Sequence, residues 1–109
     1  MCELTKVFHR EYYDRVVITI EGHTGFAQRG SDIVCAAVSS LVLTLINCLK
    51  DEESAGRLRF ITSIVRDGFV SLEVEYFDFA QERCSAITET CLTGLGLLAE
   101  EYPEYVKIE

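Results

Sequence analysis

Residues 16–49 read VVITIEGHTGFAQRGSDIVCAAVSSLVLTLINCL, and the order of patterns inside them decides the fold class. The stretch opens with a period of two. Val16, Ile18 and Ile20 fall on one side and Val17, Thr19 and Glu21 on the other, which is a strand with one buried face. From Gly22 to Ser31 there is no period and three glycines, so the segment reads as a loop. Ser31 or Asp32 can then accept hydrogen bonds from the free N–H groups of a helix running to about Leu49. Val34, Val38, Leu41, Leu45 and Cys48 recur at helical spacing, and most positions between them are apolar too. A helix apolar nearly all round is covered on more than one side.

Upstream, Leu4 to His9 interleaves apolar and polar residues as a short strand, and Arg10 to Asp14 forms the turn of a hairpin with Val16–Glu21. Downstream, Leu58–Val65 and Phe69–Tyr76 alternate around Asp67-Gly68, a pair that tolerates the positive φ angles of a tight hairpin turn. Residues 80–102 carry Cys84, Ile87, Cys91, Leu95, Leu98 and Tyr102 on one helical stripe. Gly94 and Gly96 weaken that helix and mark a close approach to the first one. Pro103 ends it, and YVKI adds a possible short last strand. The order ββαββα, with that optional final β, predicts a single α+β domain over residues 1–109, a sheet packed against helices.

The chain holds 109 residues with a formal net charge of -8, 49% hydrophobic and 26% charged residues. This is an ordinary globular composition, large enough for one core and too small for two. The acidic balance argues against direct nucleic-acid binding, which needs a basic stripe to displace counterions. A basic polypeptide suits the surface better. The start, MCELTKVFHREYYD, lacks the charged and apolar regions of a signal peptide. Ile33–Leu49 is marginal for crossing a bilayer and is interrupted by Ser39, Ser40, Thr44 and Asn47, so a core helix and no membrane association are expected. Five cysteines without a CxxC pair, in a chain with no export signal, point to reduced thiols and the cytoplasm.

The chemistry concentrates in residues 22–39. His23 ends a strand, a glycine-punctuated loop follows, and Cys35 stands in the first turn of the helix. Free cysteine titrates near ~8.5, and two devices here favour its thiolate: the partial positive charge of a helix start and an imidazole that takes the proton. The plain alternative is that Cys35 is a small packed hydrophobe and His23 a solvated loop side chain. Asp32 fits an N-cap, or an orienter of His23. Ser39, one turn below Cys35, either bonds back to the main chain or lies beside the site. Cys48, Cys84 and Cys91 read as core. His23, Cys35 and Asp32 are a poor zinc set, so no metal is expected, and GHTGFAQRG lacks the ending of a phosphate loop.

The string GHTGFAQRGSDIVCAAVSS resembles the motif of the ribosomal-processing cysteine protease (Prp) family. Gly22 and His23 match its first part, and Gly30, Asp32, Val34, Cys35, Ala36 and Ser39 its second. The tail LAEEYPEYVKIE is similar to the family's ending, so the resemblance spans essentially the whole chain. It implies a cysteine endopeptidase with Cys35 as nucleophile and His23 as general base, and with Asp32 and Ser39 as supporting residues. Gly22, Thr24, Gly25 and Gly30 would line the substrate loop. Thr24 departs from the alanine found in many members. The implied substrate is the precursor of large-subunit bacterial ribosomal protein number twenty-seven, cut after a phenylalanine by a homodimer without cofactor. Two other readings remain: a noncatalytic dimeric protein that binds a ribosomal protein or assembly factor, and a thiol redox sensor, which needs a second cysteine near Cys35.

Overall fold

The computed structural model describes residues 4–23 and 33–109, and for His23 the backbone alone. Strands β1 (Thr5–Glu11) and β2 (Arg15–His23) are followed by helix α1 (Ile33–Ser54), strands β3 (Leu58–Arg66) and β4 (Gly68–Tyr76), a 3-10 turn (Asp78–Ala80), helix α2 (Gln81–Glu101) and strand β5 (Val106–Ile108). This is the α+β domain expected, with the last strand present. The sheet runs in the order β3-β4-β2-β1-β5. Every neighbouring pair is antiparallel except β1 and β5.

Alternation along the strands gives the sheet one buried face. Val7, Val16, Ile18, Ile20, Val70, Leu72, Val74 and Tyr76 all point into the core. Strand register explains why they meet: Val16 lies opposite Val74, Ile18 opposite Leu72 and Ile20 opposite Val70. The other face carries charge, with Arg15 Nη1 3.0 Å from Glu73 and Arg59 Nε 2.7 Å from Glu75. Both helices cover the apolar face, α1 against β2 and β3, and α2 against β4 and β5.

Helix α1 is long and apolar enough to cross a membrane by length and composition. It instead contributes Val34, Val38, Val42, Leu45, Ile46 and Leu49 to the core. A helix enclosed by a sheet on one side and α2 on another has no room for a wide polar face. It continues past the expected end at Leu49 because Glu52, in its last turn, is buried against cations. Arg83 on α2 grips both Glu52 carboxylate oxygens, at 2.7 and 3.1 Å, and Arg57 Nη1 lies 3.3 Å away.

Three details depart from the sequence reading. Only Gly68 takes a positive φ (81°) in the β3–β4 turn, and Asp67 does not, so the turn is not the type with two left-handed residues. The α2 stripe is wider than the apolar pattern implies. Thr88 is fully buried because its Oγ1 accepts a hydrogen bond from Tyr76 Oη at 2.8 Å. Of the two α2 glycines only Gly94 marks a close helix approach, under Leu41; Gly96 faces open space.

Candidate active site

The candidate site residues fall at the end of strand β2 and at the start of helix α1. On the strand side, β2 runs two residues further than the alternating pattern suggests. Gly22 belongs to the strand and not to the loop, and His23 ends the strand as the sequence reading has it. The pairing with β4 slips there: Glu21 lies opposite Phe69 and His23 opposite Gly68, with a bulge between. Gly22 makes the bulge possible. Its φ is +83°, and a Cβ would collide with the backbone oxygen of Leu4. The strand end that carries His23 is therefore shaped by a position only glycine fits.

On the helix side, Cys35 is the third residue of α1 and is 0% exposed. Its place in the first turn puts it beside backbone N–H groups that have no partner inside the helix. Ser39 lies one turn along on the same face and is also buried. Val34 and Val38 flank this face from within the core. The helix start is thus anchored by apolar packing, with Cys35 and Ser39 buried alongside it.

Cys35 is disulfide-bonded, and the other half of that bond lies outside the described residues. This departs from the expectation of reduced thiols. Cys48, Cys84 and Cys91 do conform to it and are free. Burial pushes the Cys84 and Cys91 thiols up, in Cys84 with the Glu52 carboxylate adding to the effect, which makes both poor nucleophiles. Their place on the buried stripe of α2 agrees with the core role assigned to them. His9, the other histidine, lies mid-strand in β1 with Nδ1 3.6 Å from Glu11.

Asp32, Thr24, Gly25 and Gly30 lie outside the described residues, as does the helix cap assigned to Ser31 or Asp32. The side chain of His23 is likewise not described, so the strand end is placed but the imidazole is not. Among the described residues no cluster of three or more His, Cys, Asp or Glu side chains is arranged to hold a metal ion. The sequence reading missed the Glu52–Arg83–Arg57 cluster, because its partners are far apart in the chain and no local spacing reports them.

Comparison with known proteins gives this geometry a context. The family model described as cysteine protease Prp matches residues 4–107. The ribosomal processing cysteine protease Prp of Mycoplasma pneumoniae is 30% identical over 112 residues, covering 100% of this chain and 94% of that protein. Among solved structures, SMU.848 from Streptococcus mutans superposes with a TM-score of 0.69 at 27% identity, covering 98% of this chain and 93% of its own. An essential ribosomal processing protease Prp from S. aureus, in complex with a substrate peptide, gives a TM-score of 0.66 at 20% identity, covering 97% and 96% of the two chains. The same protease with a covalently linked product peptide gives 0.65 at 21%, covering 98% and 97%. At these last two identities the likeness speaks to the shared fold.

Proposed function

The chain belongs to the cysteine protease Prp family and is a thiol endopeptidase; from that premise we propose that it removes the N-terminal extension of the precursor of bacterial large-subunit ribosomal protein number twenty-seven, cutting after Phe. Cys35 is the nucleophile and His23 the general base. The observation that carries this reading is the position of Cys35, buried in the first turn of α1, in a chain whose strand β2 ends at His23 after the bulge at Gly22.

The mechanism follows from that arrangement. The reduced Cys35 sulfur attacks the scissile carbonyl, its proton passing to His23. Backbone N–H groups at the start of α1 face the developing oxyanion, where fixed dipoles act without reorganisation. His23 returns the proton to the leaving amine, leaving a thioester. Water, activated by the same imidazole, releases the acyl group and restores the thiol. Asp32 orients His23, and Ser39, buried one turn below Cys35, supports the nucleophile from the same helical face. No step requires a cofactor.

The same reading carries a cytoplasmic homodimer. The S. aureus complexes with substrate and product peptides support a polypeptide substrate for this chain by family membership. The test is cleavage of the full-length precursor, read by intact mass, with wild type beside Cys35→Ala. A fragment ending in Phe is released by wild type, and the variant is slower by about 10³-fold or more. An intact precursor after incubation with folded, reduced wild type would refute the substrate assignment. Equal cleavage by Cys35→Ala would refute the nucleophile.

A further inference from the structure

At the end of the sheet away from His23, three segments distant in sequence enclose a groove. The β1–β2 turn provides Tyr13 and Asp14, the end of β4 provides Glu75, and the 3-10 turn and the start of α2 provide Asp78 and Gln81. This cavity of about 290 Å³ adjoins a second of about 310 Å³, which shares Tyr13, Asp78 and Gln81 with it and adds Phe79 and Glu82. Together they form one trough with aromatic walls and a carboxylate rim.

Its walls are unusually open to water. Phe79 is 78% exposed and Tyr13 69%, although both are large rings that gain from being covered. Tyr13 Oη reaches across to Asp78 Oδ1 at 3.5 Å. The rim is not neutral. Glu75 is answered by Arg59 at 2.7 Å, and Asp14 by Arg15 at 3.5 Å. Asp78 and Glu82 form no ion pair among the described residues. The α2 N-terminus beside them contributes only about half a positive charge against two full negative ones, so the trough keeps a negative potential.

We propose that this trough is a docking site for a basic segment of the polypeptide that the enzyme cuts, engaged at a distance from the scissile bond. The proposal rests on the protease reading and adds a second point of substrate contact. The occupant is fixed by chemistry. An arginine guanidinium stacks on an exposed ring and donates paired hydrogen bonds to a carboxylate, and a lysine stem lies along the same rings with its ammonium at the rim. A protein destined to lie among RNA phosphates carries such residues in runs, and this chain's net charge of -8 favours their approach.

The fold also fixes the spacing. β4 runs from Gly68, paired with His23, to Tyr76 beside the trough. Eight steps along a strand cover roughly 26 Å at about 3.3 Å each. With the cut placed, as proposed, near the His23 end of β2, an extended substrate needs about eight residues between it and the basic segment to occupy both places. Peptides spanning only the cleavage site do not reach.

The test pairs binding with turnover. A fluorescein-labelled dodecapeptide rich in Arg and Lys is titrated with reduced wild type and with Asp78→Asn/Glu82→Gln, and its Gln-substituted counterpart serves as control. Wild type binds the basic peptide, and the double variant binds at least about tenfold more weakly, as does wild type at high salt. Tyr13→Ala/Phe79→Ala weakens binding while leaving the charges in place. In turnover, Asp78→Asn/Glu82→Gln raises KM for the full precursor severalfold, with kcat unchanged and a short cleavage-site peptide cut at the wild-type rate. Equal binding of the basic peptide by wild type and the double variant overturns the proposal, even if the precursor is cut normally. Binding lost in the variant while wild type cuts no precursor leaves the trough in place and removes the substrate assignment instead.

Discussion

Gly94 of α2 lies directly under Leu41 of α1: a Cβ at 94 would stand 2.9 Å from Leu41 Cδ2 and 3.1 Å from Cδ1. The absence of a side chain lets the two helices close on each other over the apolar sheet face. Gly94→Ala makes the Leu41 methyl groups give way, an overpacked contact that costs about 1–3 kcal/mol and outweighs the helix-propensity gain of about 0.5–1 kcal/mol. Gly96, two residues on, meets nothing within 4 Å of a built Cβ. There the same substitution gains about 0.5–1 kcal/mol, because alanine loses less backbone freedom in a helix than glycine. Urea unfolding of the two variants checks this. Shifts of the same sign would contradict the helix contact described.

Gly22 gives a prediction that ties backbone to chemistry. Its φ of +83° and its contact with the Leu4 carbonyl leave no space for a methyl group, and the obstruction is backbone, which yields little. Gly22→Ala costs at least about 2 kcal/mol from the left-handed conformation and the collision together. It also shifts the strand end that carries His23, so precursor cleavage falls further than the stability loss explains. Cleavage by the folded fraction at the wild-type rate would show that the bulge does not position the histidine.

Glu52 predicts a pH dependence of stability. The Arg83 hydrogen bonds hold its carboxyl below the usual carboxylate range, with the Arg57 and Arg83 charges helping and burial opposing. A carboxylate depressed in the folded state contributes stability that is fully present above its unfolded pKa and is lost as pH falls through the folded value. Glu52→Gln lowers stability at neutral pH by about 2 kcal/mol, since it removes charge-assisted bonds while both arginines can rehydrate. That corresponds to a Tm lower by about 10 °C for a domain of this size. The gap between wild type and variant narrows on acidification below about pH 4.5. A gap constant from pH 7 to pH 3 would show that the pair does not stabilise the fold.

The strands and helices were legible because each has one dominant period. Val16, Ile18 and Ile20 alternate, as do Val70, Leu72 and Val74, and the sheet buries all six. The pairing of β2 with β4 was not legible, since it joins two hairpins across α1 and no local signal reports long-range register. Thr88 and Glu52 are buried for the sake of partners on other elements, Tyr76 and Arg83, so polarity misplaced both. At the site, the motif located Cys35 at the helix start and His23 at the strand end. The bulge at Gly22 was hidden because a strand glycine beside a loop looks like the loop itself. The trough under Tyr13 and Asp78 draws on three separate segments, none of which carries a pattern alone.

The state of Cys35 leads to the prediction most specific to this chain. A sulfur in a disulfide has no lone thiolate to offer a carbonyl, and Cys35 is fully buried as well. With Cys35 as the proposed nucleophile, catalysis requires that the bond be opened by thiol–disulfide exchange, in which an attacking thiolate takes one sulfur and releases the other. Protein purified without reductant cuts precursor slowly, and dithiothreitol raises the rate at least about tenfold. Iodoacetamide labels Cys35 only after reduction. Cys84 and Cys91, buried and with their thiols pushed up, label slowly in either state, so peptide mapping separates the sites. The two measurements must move together: appearance of alkylatable Cys35 and appearance of cleavage share one time course. Full activity in protein shown by mass to retain the bond would remove Cys35 from the nucleophile's role, whereas activity that rises with its release ties the chemistry to the start of α1.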